Sequence, residues 1–416
     1  MTKRIYMLIA VAASIFMLAG CQSSQLLSYS GAPIESRDEK EAPEETEETS
    51  APESEAPEVL PSQEAEGEYS DAYNAYPRRE TMMTVDGMNI NWDELFYWYI
   101  YDVSNLEAYF GEITDWDAPC GLDNSMTNRE YVMQNAIDTI KQYSSLQIKA
   151  KDMGIKLNEV DKVMLEANWQ QNVINYGNGD EQAFIDYMAT VYLSKAVYNK
   201  VNEVSALYQR VFEEMYGLEG EKLDQQTISE QGNKLGYMRA KHILLSTVDY
   251  TNTKLPAKQI AAKKARAEAI LSELSAIKDP LEREARMNQL IISDGEDPGT
   301  AYYTDGYTFL SGRMTETFEK TVQRLGEYEL STIVETEYGY HIIMRLPLAA
   351  DTVVEQLSQT EFWTLRQIIA QEEFTTLTEG WAGEVEIEFT EAYNNMDLAA
   401  VFSKAKASDN GNGSDR

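Results

Sequence analysis

Two short stretches decide the fold of this chain, and they read RAKHILL at residues 239–245 and YGYHIIM at residues 338–344. Each stretch places a histidine beside an apolar run of strand length, and His242 and His341 are the only histidines in the 416-residue sequence. Short runs rich in Ile and Leu and bounded by Gly or charged residues are typical of buried strands. The sequence therefore predicts a small sheet into which two imidazoles point.

The residues between the two histidines carry apolar side chains at fixed intervals. Phe309 follows the turn at residues 305–307, Met314 comes after Phe309, and Phe318 comes one helical turn after Met314. Ordered elements at fixed spacing are more specific than any one of them. Over residues 236–348, about a quarter of the chain, this order resembles the parvulin family of peptidyl-prolyl isomerases.

The resemblance implies a role for each of these side chains. Met314 and Phe318 would form an apolar cup for a proline ring, with Phe309 beneath them. His242 and His341 would form the polar floor. An enzyme of this class rotates X-Pro bonds over a barrier of about 18–20 kcal/mol and breaks no covalent bond. The resemblance implies no cofactor.

The family also places a Cys or an Asp near the peptide carbonyl, shortly before a glycine-rich loop. The resemblance assigns this position to Asp297, and Asp294 is the alternative if the alignment shifts. The carboxylate would either polarise the amide or tune the hydrogen bonds around the histidines. The sequence does not separate these two roles.

The chain departs from the family pattern in that loop. The usual Gly-Gly-Asp-Leu-Gly becomes Tyr-Thr-Asp-Gly-Tyr at residues 303–307. Gly306 then stands where the family has an apolar wall residue, which predicts weak turnover. Residues 251–258 lack the basic cluster that selects a phosphate before proline, so a preference for phosphorylated substrates is not expected.

The first 21 residues resemble a bacterial lipoprotein signal peptide. Lys3 and Arg4 precede an uncharged apolar stretch, residues 5–17, which is short for a membrane span, and LAGC follows at residues 18–21. The resemblance implies that Cys21 becomes the mature N-terminus and carries acyl chains such as palmitate. Such an anchor would hold the protein on the outer face of the cytoplasmic membrane.

Residues 22–80 are rich in Glu, Ser, Pro and Ala and contain few large apolar residues. Such a segment does not bury enough apolar surface to offset the entropy of ordering, so it is predicted to be a disordered acidic spacer. The formal net charge of the whole chain is −35. Nucleic acid is therefore a poor candidate partner.

The sequence predicts that residues 81–232 form the N-terminal part of a mostly helical domain. Asn91 is expected to cap the first helix, with Glu94 reaching back to it, and the aromatic run at residues 96–101 is interpreted as core rather than client-binding surface. Helix starts are predicted at Asn91, Thr127 and Asn158, and a further helical stretch with a break begins near Gln182.

The C-terminal flank is predicted to complete this domain. A helical pattern covers residues 352–377, and a strand with a period of two follows at residues 384–389. The strand pair at residues 84–90 has no local partner to extend it, so the two ends are predicted to meet. Residues 349–403 would thus belong to the helical domain, and residues 404–416 are predicted to be a disordered tail.

The predicted fold class is α+β. A parvulin-like domain at residues 233–348, with a small antiparallel sheet and surrounding helices, is inserted in a mostly helical chaperone domain that both flanks form. This layout is similar to that of secreted foldases of the PrsA and SurA type. The resemblance implies a membrane-anchored, extracytoplasmic foldase that isomerises X-Pro bonds in unfolded or partly folded secreted polypeptides. The alternative is a holdase that binds such chains and carries a vestigial parvulin domain.

Other chemistries find little support in the sequence. Two histidines far apart in the chain, without a nearby thiol, do not predict a metal site. The chain has no Gly-x-Ser-x-Gly elbow, which disfavours a serine hydrolase. Apart from Cys21 the only cysteine is Cys120. One cysteine cannot form an internal disulfide, and Cys120 is interpreted as buried packing. The sequence predicts neither the clients nor the oligomeric state.

Overall fold

The computed structural model describes residues 69–356 and 362–402. The predicted signal peptide with Cys21 and the predicted tail lie outside the described residues, and so does most of the predicted spacer. None of the helices in the described ranges is long and apolar enough to cross a bilayer.

The described residues divide into two compact units. Residues 69–211 together with residues 377–402 form the first unit, and residues 212–376 form the second. The first unit is mostly helical, and the second carries a small antiparallel sheet flanked by helices. The predicted α+β class is confirmed. The domain boundaries at residues 80/81, 232/233 and 348/349 stay predictions.

The secondary-structure elements are numbered in chain order. Before residue 236 they are α1 (Ser70–Tyr73), β1 (Thr81–Val85), β2 (Met88–Asn91), α2 (Trp92–Phe110), α3 (Asn128–Asp152), α4 (Glu159–Gly177), α5 (Glu181–Ala189), α6 (Lys195–Tyr216) and α7 (Gln225–Lys234). After it they are β3 (Tyr237–Ser246), α8 (Ala257–Ala276), α9 (Pro280–Asp294), β4 (Tyr307–Leu310), α10 (Glu316–Arg324), β5 (Val334–Glu335), β6 (Gly339–Leu346), β7 (Val353–Gln356), β8 (Phe362–Thr364), α11 (Leu365–Glu384), β9 (Ile387–Phe389) and α12 (Glu391–Asn394).

The helix starts follow local capping chemistry at two of the predicted positions. Thr127 and Glu130 form a reciprocal capping box at the start of α3, and Asn158 and Asp161 do the same for α4. The stretch after Gln182 is two helices, α5 and α6, separated by residues 190–194. These predictions are confirmed.

The predicted cap of α2 is wrong in its side-chain contacts, although the helix does begin after Asn91. The Asn91 side chain accepts no hydrogen bond from the helix. Glu94 does not reach back, because its carboxylate is buried and accepts two hydrogen bonds of 2.7 Å from the Lys200 ammonium group. A tertiary ion pair thus replaces the local contact, since a buried carboxylate is stable only with a partner.

The three-stranded sheet of the first unit has the order β2-β1-β9. β9 pairs antiparallel with β1, and Thr84 lies opposite Glu388. The two distant segments that were predicted to meet therefore do pair.

The aromatic run of α2 is core, as predicted. Its residues from Phe96 to Ile100 are buried. Cys120 is also buried, in agreement with its interpretation as packing.

The last residues assigned to the spacer are ordered, which the composition of that segment did not predict. Tyr69 and Tyr73 are buried, and the Tyr73 ring lies 5.1 Å from the Phe96 ring. The Trp92 indole N–H also donates to the Tyr73 carbonyl oxygen over 2.8 Å. Two large aromatic side chains supply enough apolar contact to fix this short piece of chain.

The predicted helix over residues 352–377 begins later than expected. β7 and β8 form an antiparallel hairpin, and α11 starts at Leu365. Thr364 marks that start, because its hydroxyl accepts from the Gln367 N–H while the Gln367 side chain accepts from the Thr364 N–H. The β-branched residues at the start of this stretch favour a strand over a helix.

The sheet of the second unit has the order β4-β3-β6-β5, and all its pairs are antiparallel. One face packs against α8 and α9 to form the larger core of this unit. Its buried members are Ile243, Leu245, Ala267, Ile270, Leu274, Met287, Leu290, Tyr340, Ile342, Met344 and Leu346. The other face carries the candidate site.

Candidate functional site

The register of β3 and β6 brings the two histidines together. His242 lies opposite Ile343, and His341 lies opposite Leu244. Directly opposed residues of antiparallel strands project from the same face of a sheet, and so do residues two apart on one strand. Both imidazoles therefore lie on the face that does not pack against α8 and α9.

The two imidazoles are buried and in direct contact. The Nδ1 atoms of His242 and His341 lie 2.9 Å apart, and the rings are nearly parallel, with an angle of 12° between them. The other nitrogen of each ring also has a partner. His341 Nε2 lies 2.7 Å from the Thr336 hydroxyl, and His242 Nε2 lies 2.9 Å from Asp297 Oδ2.

Asp297 is held from three sides. It follows α9 and caps a single 3-10 turn, Pro298–Ala301, by accepting from the Gly299 N–H. Its Oδ2 atom also accepts from His242 and, over 2.5 Å, from the Tyr307 hydroxyl. Burial alone would raise the pKa of Asp297, but these hydrogen bonds outweigh it and lower the pKa to about 2. Asp297 is therefore an anion at neutral pH.

The alternative carboxylate, Asp294, does not join the histidines. It forms an ion pair of 2.6 Å with Arg266 at the end of α9. The structure thus brings Asp297 to the imidazoles and leaves Asp294 in a separate contact.

Burial lowers the pKa of His341 to about 4, and the neighbouring His242 acts in the same direction. His341 is accordingly neutral at pH 7. When both imidazoles are neutral, one arrangement of protons satisfies every contact. The Thr336 hydroxyl donates to His341 Nε2, and His341 Nδ1–H donates to His242. His242 Nε2–H then donates to the Asp297 carboxylate, so the chain of hydrogen bonds ends on the anion.

The three predicted apolar side chains lie next to this network. The Phe318 ring meets both imidazoles edge to face, at centroid distances of 5.3 Å from His242 and 5.8 Å from His341. Phe309 is buried, with its ring 6.1 Å from that of Phe318. Met314 is partly buried against the same apolar cluster.

Most of these groups line one open cavity of about 800 Å³. Phe309 is not among the residues that line it, in keeping with a place beneath the cavity floor. The predicted site residues that do line it are His242, Asp297, Met314, Phe318 and His341.

Three further residues of the site did not emerge from the sequence. The Tyr307 hydroxyl donates to Asp297, and the Thr336 hydroxyl contacts His341. The Glu319 carboxylate accepts hydrogen bonds from the backbone N–H groups of Gly312 and Met314. Tyr307 was visible only as a departure from the family loop. Nothing in the local sequence distinguishes Thr336 or Glu319 from a surface residue, since their partners are set by the fold.

No group of three or more His, Cys, Asp or Glu side chains that could hold a metal ion occurs within residues 69–356 and 362–402. The site consists instead of an anion, two imidazoles and an apolar wall in a cavity open to solvent. Such a site can bind a small apolar ring and present hydrogen-bonding groups beside it.

This fold and this site define the second unit as a parvulin-type domain. Residues 242–346 match the family model described as a PPIC-type peptidyl-prolyl isomerase (rotamase) domain. The resemblance to parvulins predicted from the sequence is thereby confirmed.

The chain is also similar in sequence to PrsA foldases. It is 25% identical over 232 residues to foldase protein PrsA of Staphylococcus epidermidis strain ATCC 12228, which covers 53% of this chain and 65% of that protein. It is 28% identical over 212 residues to foldase protein PrsA of Staphylococcus aureus strain Newman, which covers 50% of this chain and 62% of that protein. The chain thus spans just under two thirds of the length of these relatives.

Among solved structures, the crystal structure of PrsA from Bacillus subtilis matches 80% of this chain and 92% of its own length. The two sequences are 18% identical in that match, and the TM-score is 0.20.

Proposed function

We propose that this protein is an extracytoplasmic foldase whose second unit catalyses cis–trans isomerisation of X-Pro bonds in secreted polypeptides. One observation carries the proposal: the hydrogen-bonded group of His242, His341 and Asp297 lines the same open cavity as the apolar side chains of Met314 and Phe318. The domain match and the similarity to PrsA foldases support it.

The reaction requires rotation about an amide bond, so the enzyme has to favour the twisted amide over both planar forms. Met314 and Phe318 would hold the proline ring in an apolar cup and remove water from the amide, which weakens its planar resonance form. The anion Asp297 would lie near the rotating carbonyl. The two imidazoles would fix its orientation through the chain of hydrogen bonds that ends on it.

The proposal extends to the segments on either side. Residues 1–21 would be a lipoprotein signal peptide, with Cys21 as the acylated anchor on the outer face of the cytoplasmic membrane. The following acidic segment, up to residue 68, would hold the folded units away from the membrane surface, since anionic lipid repels a chain of net charge −35. Both flanks of the domain at residues 233–348 would form the chaperone domain.

A holdase function is the second candidate, and an exposed apolar face on α4 favours it. Val160, Val163, Met164 and Ile174 project from this helix, and each is more than half exposed. Exposed apolar patches are typical of surfaces that bind other chains. A holdase would use this face and would not need the cavity of the second unit.

The experiment that tests the isomerase is exchange NMR on short X-Pro peptides with a soluble protein of residues 22–416. We expect the unmodified protein to accelerate exchange. Asp297→Ala should lower kcat/KM by on the order of 100-fold through lost electrostatic stabilisation. Met314→Ala should lower kcat/KM by about 10-fold through lost apolar contact.

Asp294→Ala is the matched control, because it removes a nearby carboxylate that does not contact the histidines. It should leave kcat/KM within about two-fold. Exchange that stays at its uncatalysed rate with the intact protein would refute the isomerase. Equal losses in the Asp294 and Asp297 variants would refute the assigned role of Asp297.

A further inference from the structure

Position 306, where the sequence resemblance implies an apolar wall residue, is a glycine and has no side chain. Gly306 has a φ of +97°, a region that L residues rarely adopt. A Cβ atom at this position would lie 2.9 Å from the Ala240 carbonyl oxygen and 3.1 Å from Leu346 Cδ1. The backbone therefore has no room for a wall residue at position 306, and the wall has to come from elsewhere.

The next residue, Tyr307, occupies the edge of the cavity. It lies opposite Ala240 in the β3–β4 pair, and Ala240 is two residues before His242, so all three project from the same face. The Tyr307 ring meets the His242 imidazole edge to face at 5.7 Å. Its other neighbour is the Tyr303 ring, at 4.8 Å.

Tyr307 also separates two cavities. It lines the open cavity of about 800 Å³ that holds Met314 and Phe318. It equally lines a smaller cavity of about 90 Å³, which Gly306 borders as well. His242 lines both cavities as well, so the two side chains lie between these spaces, and removal of the Tyr307 ring would enlarge the space beside Met314 and Phe318.

The hydroxyl group of Tyr307 has a specific partner. It donates to Asp297 Oδ2 over 2.5 Å. This approach depends on Gly299, because a Cβ atom there would lie 2.2 Å from the Tyr307 oxygen. Burial and the contact with Asp297 raise the pKa of Tyr307, so the phenol remains a donor across the physiological range.

We propose that Tyr307 replaces the missing wall of the proline cup with its ring and positions Asp297 with its hydroxyl. This inference rests on the proposed isomerase function. The two parts of the side chain then have separable effects. The ring contributes to substrate binding, because it closes the cup, and the hydroxyl contributes to turnover, because it fixes the carboxylate beside the rotating amide.

Two substitutions separate the two parts. Tyr307→Phe keeps the ring and removes the hydroxyl, so we expect kcat to fall about 10-fold for the lost hydrogen bond to an anion, with KM within about two-fold. Tyr307→Ala removes both, so we expect KM to rise about 10-fold in addition. Tyr303→Phe is the matched control, since it changes a neighbouring phenol that is exposed, and it should change neither constant.

A second measurement does not depend on turnover. The side-chain carboxyl resonance of Asp297, followed by NMR against pH without substrate, should titrate with a pKa near 2 in the intact protein and closer to 3.8 in Tyr307→Phe. The Tyr303→Phe titration should match that of the intact protein. A merely structural tyrosine would leave this titration unchanged.

The outcomes distinguish the inference from the function on which it rests. An unchanged Asp297 titration together with an unchanged kcat in Tyr307→Phe overturns the positioning role. An unchanged KM in Tyr307→Ala overturns the wall. An intact protein without isomerase activity refutes the proposed function and with it any role of Tyr307 in catalysis. If the pKa of Asp297 still differs between that protein and Tyr307→Phe, the contact between Tyr307 and Asp297 is supported alone.

Discussion

At the scale of single residues, Glu319 fixes the loop that carries Met314. Its carboxylate is buried and accepts from the N–H groups of Gly312 and Met314, at 2.9 Å and 2.8 Å. Burial alone would raise the pKa of Glu319, but the hydrogen bonds from Gly312 and Met314 outweigh it and lower the pKa. One side chain on α10 therefore holds the backbone that carries Met314 to the edge of the cavity.

Glu319→Ala should destabilise the protein and weaken substrate binding together. The substitution removes the charged acceptor of the Gly312 and Met314 N–H groups, so we expect the free energy of unfolding to fall by about 1.5–3 kcal/mol, measured by urea denaturation. KM for X-Pro peptides should rise because Met314 loses its fixed position.

Glu316→Ala is the control for this prediction. Glu316 lies on the same helix and forms an exposed ion pair with Lys320. Its loss should leave the urea midpoint close to that of the unmodified protein, because exposed ion pairs contribute little to stability. If the two variants unfold at the same urea concentration, Glu319 does not hold the loop.

At the scale of secondary-structure elements, the contact between α2 and α3 contains a carboxylate that is costly to ionise. Asp102 is buried on α2 and accepts one hydrogen bond of 2.5 Å, from the Asn135 amide on α3. Burial raises the pKa of Asp102 to about 7, against the opposing effect of that hydrogen bond. A buried carboxylate with a single neutral partner is stable mainly in its protonated form.

Asp102→Asn should therefore change how stability depends on pH. The folded chain binds the proton more tightly than the unfolded chain, whose aspartate titrates near 3.8. The stability of the unmodified protein should fall as the pH rises from about 4 to about 7, by an amount on the order of a few kcal/mol. The asparagine variant lacks this fall, so it should be the more stable protein at pH 8 and lose that advantage near pH 4.

Urea denaturation at a series of pH values measures this difference. Asp138→Asn serves as the control, since Asp138 is exposed on α3 and accepts from Gln134 one turn away. This variant still contains Asp102, so its stability should show the same fall between about pH 4 and pH 7 as that of the unmodified protein. A constant difference between the Asp102 variant and the unmodified protein would show that Asp102 ionises freely in the folded chain.

The elements also show how far the sequence predicts this fold. Thr127 and Asn158 start helices as expected, because a capping box involves residues three apart and needs no tertiary partner. Glu94 departs from expectation because Lys200, distant in the sequence, offers a stronger contact. The strands β7 and β8 were missed because the apolar spacing of this stretch fits a helix as well as two short strands.

The candidate site, like the fold, was predicted from the sequence only in part. His242 and His341 were predicted because each lies in a recognisable strand, and their contact then follows from the register of β3 and β6. Asp297 was one of two possible carboxylates, and only the chain path after α9 brings it to His242. The contacts of Tyr307 and Thr336 depend on loop geometry, which a single sequence does not determine.

At the scale of the whole molecule, the two candidate functions use different surfaces. The cavity lies in the second unit, whereas the exposed face of α4 lies in the first. This face runs from Val160 to Ile174, roughly 21 Å at 1.5 Å per residue. The opposite side of α4 is core, where the Trp169 ring contacts that of Phe184 at 5.0 Å. Substitutions on the exposed face should therefore leave the fold intact.

The double substitution Val163→Ser with Met164→Ser should reduce client binding and leave isomerisation unchanged. It removes two adjacent apolar side chains of the face without introducing charge, so folding should be affected by less than about 1 kcal/mol. We expect less suppression of the aggregation of an unfolded protein, measured by light scattering, and an unchanged kcat/KM by exchange NMR. Asp297→Ala should show the reverse pattern, because its cavity is not the client surface.

Leu281→Ser controls for a general loss of surface hydrophobicity, because Leu281 is an exposed apolar residue of α9. If it lowers aggregation suppression as much as the double substitution, the α4 face has no special role in holding clients.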